Sequence, residues 1–181
     1  MRHSYRSSVA VFALPLALAV LGCGGESRET PPVTDTAMAA ASTRTAAPDT
    51  TAERLWAYLE SADYKTWPMW PGKTAHYAGT EPHGALLTTY VNTLALDAIT
   101  NGAGMMPVGT ILVKENYMPD STLAAVTVLY KSAGYDGAHH DWFWMKRLAN
   151  GTVEASGRVA MCISCHGGKE GNDYIMTAAL K

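Results

Sequence analysis

The densest chemistry in the sequence sits near the C-terminus, where Cys162 and Cys165 are separated by Ile163 and Ser164 and followed directly by His166. Two thiols three positions apart lie on one side of a single turn, and the adjacent histidine is carried to the same place. This C-x-x-C-H spacing is that of c-type haem attachment: each thiol forms a thioether to a vinyl group, and the imidazole becomes the proximal iron ligand. Two rival chemistries use cysteines at this spacing. Zinc needs further soft ligands, for which only His76, His83, His139 and His140 are available in the folded part. A thioredoxin-like redox pair starts a helix in a βαβ context, which a position after a hairpin does not supply. One covalently attached haem c is the reading that accounts for all three residues.

The third cysteine belongs to a different pattern. Arg2 and Arg6 precede an apolar run from Val9 to Leu21, the layout of a secretory signal and too short for a membrane span. Leu21-Gly22-Cys23-Gly24 then resembles the lipobox of bacterial lipoproteins, so that residues 1–22 are removed and Cys23 is acylated. With Cys23 taking lipid and the other two taking haem, none of the three cysteines is left as a stray thiol in an oxidising compartment. The expected location is the periplasmic side of a membrane, held there by lipid. Loss of residues 1–22 removes two basic and no acidic residues, leaving 12 basic against 16 acidic, a formal charge of −4. Nucleic acid is excluded as a partner on that balance.

Positioning the motif requires a folded body, and composition places it at residues 52–181. Residues 23–51 are mostly Ala, Thr, Pro, Ser and Asp without an aromatic residue, which reads as a tether. The following 130 residues hold all five tryptophans and eight of the nine tyrosines, enough for one domain with its own core. Thr50 and Glu53 form a capping box ahead of a helix whose stripe is Leu55, Tyr58, Leu59 and Ala62. From Thr66 to Gly84, prolines and glycines predict an aromatic-rich loop without regular structure. Strand character follows at Ala85 to Val91, Gly109 to Tyr117, Leu123 to Lys131, Asp141 to Leu148 and Thr152 to Val159. Thr93 to Thr100 reads as a short helix stopped by Asn101-Gly102, and Asn150-Gly151 as a type I′ hairpin turn. The class is α+β, with a mostly antiparallel sheet of about five strands, flanking helices, and the haem at the C-terminal motif.

Only 15 residues follow His166, so the attachment motif lies late, unlike that of the common small electron-carrier cytochromes c, and the strand-rich body is no four-helix bundle. Over residues 80 to 176 the chain resembles the cytochrome P-460 family and its relatives, the cytochromes c′-beta. The resemblance rests on Thr80-Glu81-Pro82-His83-Gly84, the strand Leu86 to Asn92, Gly109-Thr110-Ile111-Leu112-Val113-Lys114-Glu115, Asp141-Trp142-Phe143-Trp144, the attachment motif and Asn172-Asp173-Tyr174. It implies that Lys114 is the lysine linked to the porphyrin edge, whereas the residue pattern alone reads it as a solvated strand lysine. It also implies an open distal position on the iron, used to oxidise hydroxylamine or to bind nitric oxide or carbon monoxide without turnover.

Two departures qualify that resemblance. Outside the signal the chain has Phe143 as its single phenylalanine, so it lacks the phenylalanine pair that caps the distal side in cytochromes c′-beta. The strand Leu123 to Lys131, aligned with the place of the catalytic carboxylate in hydroxylamine-oxidising members, has no Asp or Glu, and Thr127 and Tyr130 are its polar substitutes. Glu115 is expected to face away from Lys114, because strand neighbours alternate faces. A six-coordinate electron carrier would instead take a ligand from His139, His140 or one of Met105, Met106, Met118, Met145 and Met161. Trp142, Phe143, Trp144 and Met145 alternate along one strand and read first as core, with walling the haem or facing a second copy as the alternatives. The expected partners are a small ligand or substrate, a redox protein, the membrane through the anchor, and, by resemblance, a second copy of the chain.

Overall fold

The computed structural model describes residues 48–181; the signal, Cys23 and the tether through residue 47 lie outside the described residues. Helix α1 spans Ala52–Ser61. Its cap is one residue later than the capping box predicts: Thr51 Oγ1 accepts from Arg54 N at 3.3 Å, while Thr50 N donates to Asp49 Oδ1 at 2.7 Å. Glu53 remains in the first turn, where the positive end of the helix favours an acid. Leu55 and Leu59 are fully buried, each contributing about 1.5–3 kcal/mol of transfer free energy.

Six strands follow in a simple antiparallel meander, one more than expected: β1 (Tyr77–Ala78), β2 (Leu86–Val91), β3 (Ile111–Tyr117), β4 (Leu123–Lys131), β5 (Trp142–Leu148) and β6 (Val153–Gly157). The additional strand lies inside the stretch predicted to be irregular, where Tyr77 and Ala78 pair with Leu87 and Leu86. Two residues are too few to show a period, and a neighbouring strand edge with free backbone groups decides the matter. The same edge holds the preceding chain through Trp70 N to Thr89 O at 2.8 Å and Val91 N to Pro68 O at 2.9 Å.

The β2–β3 connection contains α2 (Thr93–Thr100), with the boundaries the sequence predicts; Asn92 Oδ1 caps it by accepting from Ala95 N at 3.1 Å. The β5–β6 hairpin is a correction. Gly151 has φ of +92° but Asn150 is not left-handed, so the turn is not type I′. Gly151 N donates to Leu148 O at 2.9 Å and Leu148 N to Thr152 O at 2.8 Å, closing a three-residue loop with the glycine at its left-handed position. Asn150 uses its side chain instead, accepting from Thr152 N at 3.0 Å.

Strand alternation sorts side chains between two cores. Ile111, Val113, Val126, Val128, Tyr130, Phe143 and Met145 pack against α1. Val91, Leu112, Trp142 and Trp144 face the other way, against α2 and the C-terminal segment. That segment begins with α3 (Ala160–His166), continues as a 3-10 stretch over Gly167–Asn172 and turns at Asp173 and Tyr174, both left-handed. Among the described residues no helix is long and apolar enough to cross a membrane.

Candidate functional site

Helix α3 carries the whole C-x-x-C-H motif. Cys162, Cys165 and His166 stand at positions three and four apart on one helical face. Both cysteines are free thiols; Cys162 is half-buried and Cys165 exposed, while His166 is buried. His166 Nδ1 lies 2.7 Å from the Tyr174 carbonyl. A carbonyl only accepts, so Nδ1 carries the hydrogen and Nε2 presents its lone pair. Burial pushes the imidazole below its ordinary pKa, against the opposing pull of the Tyr174 carbonyl. The ring is therefore neutral at neutral pH, as a metal ligand must be.

Three hollows meet at His166 and His83. The largest, about 290 Å³, lies between α3 and the exposed end of β3 to β5, with Cys162, Cys165, Leu129 and Trp144 in its walls. A second, about 180 Å³, is lined by Tyr77, Thr80, Cys165 and Lys114. A third of about 20 Å³ joins Lys114 and Thr127 to Met176 and Thr177. The indole N–H of Trp144, buried in the wall of the largest hollow, has no hydrogen-bond partner. An orphaned donor costs about 1–3 kcal/mol unless a bound group accepts from it. Neighbouring thiols, a neutral imidazole with a free Nε2, apolar walls and an unpaired donor together fit a haem. They do not fit the rivals. Among the described residues no three His, Cys, Asp or Glu side chains are grouped to hold a metal ion. Burial pushes the Cys162 thiol up, the reverse of an activated redox cysteine.

Lys114 enters this site from β3, opposite Thr89 on β2 and Thr127 on β4. Burial, with Lys73 adding repulsion, lowers its pKa to about 8. Glu115 takes the other face, as alternation predicts, but it is not solvated: it is buried under α1, accepting from Tyr64 Oη at 2.9 Å and Tyr117 Oη at 2.5 Å. Of the two polar substitutes on β4, Thr127 lines the site and Tyr130 belongs to the opposite core. Phe143 is also in that core, and the aromatic wall of the site is Trp144, whose ring centroid is 4.9 Å from that of His166.

The histidines and methionines considered as sixth ligands divide. His139 Nδ1 pairs with Asp136 Oδ2 and His140 Nδ1 with Asp173 Oδ1, each at 2.8 Å, and neither lines the hollows. Met106 is core and Met105 is exposed; Met118 and Met161 reach the largest hollow, and Met145, buried in the core on the α1 side, also contributes to its lining.

His83 is the site residue that residue patterns understate, since they place it only in the Thr80 to Gly84 stretch and among candidate zinc ligands. Its ring centroid lies 6.1 Å from that of His166. Its Nδ1 is 3.2 Å from Asn116 Oδ1. Asn116 Nδ2 donates to the Lys114 and Ala125 carbonyls at 3.0 and 3.2 Å, which fixes the amide with its oxygen toward His83. His83 thus donates through Nδ1 and keeps Nε2 as an acceptor, with burial and the nearby Lys114 holding its pKa at about 4. Glu81, on the same loop, is the carboxylate at the rim of both larger hollows.

No curated protein matches the chain. The Cytochrome P460 family matches it over residues 61–177, a span that begins in the last turn of α1 and takes in the whole sheet, Lys114, α3 and the Asp173–Tyr174 turn. Fold, site and family match agree, and the chain belongs to the cytochrome P460 family of haem cytochromes.

Proposed function

We propose that the chain is a mono-haem c-type cytochrome lipoprotein that acts on hydroxylamine or nitrogen oxides at an open distal iron position. The observation that carries this reading is the pairing of His166 Nδ1 with the Tyr174 carbonyl at 2.7 Å, which frees Nε2 beside both thiols. Cys162 and Cys165 would hold the haem by thioethers, His166 by axial ligation and Lys114 at its edge, with the Trp144 indole donating to it or to what it binds. The haem supplies a redox-active iron with an exchangeable coordination position.

The residues around that position supply the rest. Leu129, Trp144 and Leu148 exclude water on the sheet side. Oxidising hydroxylamine releases protons, and His83 Nε2 is a neutral acceptor held in place through Asn116. Glu81 at the rim would pass them to solvent. Cys23, as an acylated first residue, would hold the protein on the periplasmic side of a membrane, where a redox protein takes the electrons and two copies assemble as a dimer.

Electron transfer without turnover is the second reading, supported by His83: with its ring centroid 6.1 Å from that of His166 and its Nε2 unpaired among the described residues, it is the imidazole that would compete for the distal position. Optical spectra and peptide mass spectrometry of holoprotein matured with a c-haem assembly system test these readings. A red-shifted reduced Soret band, haem joining Lys114 to the Cys162 and Cys165 peptide, and hydroxylamine-dependent reduction of an acceptor are expected. A six-coordinate ferric spectrum unresponsive to nitric oxide would sink the proposal in favour of electron transfer. Nitric oxide binding with hydroxylamine left untouched would reduce it to gas binding.

A further inference from the structure

The turn at Asp173 and Tyr174, beyond the 3-10 stretch that follows α3, gathers a dense set of buried polar contacts. The Asp173 carboxylate is fully buried; Lys131 Nζ donates to its two oxygens at 2.8 and 2.7 Å, Met106 N at 2.8 Å and His140 Nδ1 at 2.8 Å. The Asp173 backbone carbonyl accepts from the Trp142 indole at 3.0 Å, and the Lys131 ammonium also lies 5.1 Å from the centre of that ring. These partners come from β4, from β5 and the loop before it, and from the loop after α2. A buried ion pair is not in itself a source of net stability, because desolvating both charges offsets their attraction. It does fix geometry. Asp173 and Tyr174 have φ of +54° and +63°, a conformation that non-glycine residues keep only when their surroundings hold them. The result of that turn is the direction of one group, the Tyr174 carbonyl, which accepts from His166 Nδ1.

We propose that Lys131 and Asp173, steadied by His140, are positioning residues for His166: their ion pair locks the left-handed turn that aims the Tyr174 carbonyl at Nδ1. Through that carbonyl they set which imidazole nitrogen faces the haem, the orientation of the ring and the electron density at Nε2. The inference rests on the reading of His166 as the axial ligand. His140 forms the partly exposed end of the network, with its side chain 26% accessible, against 0% for Asp173.

The test compares wild-type holoprotein with the double variant Lys131→Met/Asp173→Asn, which removes both charges together and leaves neither one buried alone. Asparagine keeps an acceptor for Met106 N and tolerates a left-handed backbone. The readouts are the iron–histidine stretching band of the ferrous protein by resonance Raman and the reduction potential. A weaker Nδ1 hydrogen bond makes Nε2 a poorer donor to ferric iron. The band is expected to move to lower frequency and the ferric–ferrous equilibrium to shift about tenfold toward ferrous, about 59 mV for one electron. Lys131→Arg, which retains the pair, is expected to keep both near wild type. A double variant that is less heat-stable but has the wild-type band and potential would make the pair a structural brace only and overturn the proposal. If the double variant does not accumulate, His140→Gln decides by the same readouts: a smaller shift in the same direction supports the proposal and wild-type values overturn it. A His166→Gly holoprotein separates the underlying reading, because a wild-type band in that variant means that His166 is not the ligand at all.

Discussion

Replacing Lys114 by methionine removes a charge from a place where burial and the neighbouring Lys73 hold its pKa at about 8 instead of 10.5. Between these two values the unfolded chain binds a proton that the folded chain does not, so stability rises with pH across the window. The cost of the charge is therefore fully present below pH 8 and gone above about 10.5. At about 1.4 kcal/mol per pKa unit the gap corresponds to about 3 kcal/mol. Urea unfolding of the haem-free protein at pH 7 and pH 10 measures it. Lys114→Met is expected to stabilise the protein by about 2 kcal/mol more at pH 7 than at pH 10, where most of the wild-type cost has already lapsed. The transfer gain from burying methionine is the same at both pH values and cancels in that comparison. A stability difference that does not change with pH would refute the reasoning and make Lys114 a solvated strand lysine. The same depression keeps about a tenth of the amine neutral at pH 7, which is what bond formation to a porphyrin edge requires.

His83→Gln is expected to lower hydroxylamine oxidation by about a hundredfold while haem content is retained, and the wild-type rate to fall away as pH drops through about 4, where Nε2 becomes protonated; steady-state rates across pH check both. Leu59→Ala, at a fully buried position under α1, should cost about 2–5 kcal/mol in urea unfolding without moving the haem spectrum, because α1 covers the sheet face opposite the site. In Glu115→Gln the phenols of Tyr64 and Tyr117 should titrate at lower pH in an ultraviolet titration. Burial is the larger cause of their upward shifts and will persist, so the values should stay above the ordinary tyrosine range.

Much of this molecule was legible from local rules. The spacing of Cys162, Cys165 and His166 needs one helical turn and nothing more, and α3 provides it. Asn101-Gly102 ends α2 where the sequence expects, and strand alternation sends Lys114 and Glu115 to opposite faces before any packing is known. Where local rules were asked for finer detail they slipped: the cap moved from Thr50 to Thr51, and the Asn150-Gly151 turn took a three-residue form, because hydrogen bonds a few residues away select among nearly equal alternatives.

Residues that meet only through the fold gave no such signal. β1 exists because β2 offers an edge, and His83 matters because the loop before β2 folds back beside Asn116 on β3, 33 residues along the chain. Lys131 and Asp173 meet across 42 residues. Their types and positions say nothing of each other until the sheet and the C-terminal turn are packed together. The sequence by itself determined the C-x-x-C-H spacing and where along the chain the strand segments lie, which depend on neighbours in the chain. Only the tertiary structure decided which polar groups surround His166 and which way its ring is held, because burial and hydrogen-bond direction are properties of contacts between distant segments.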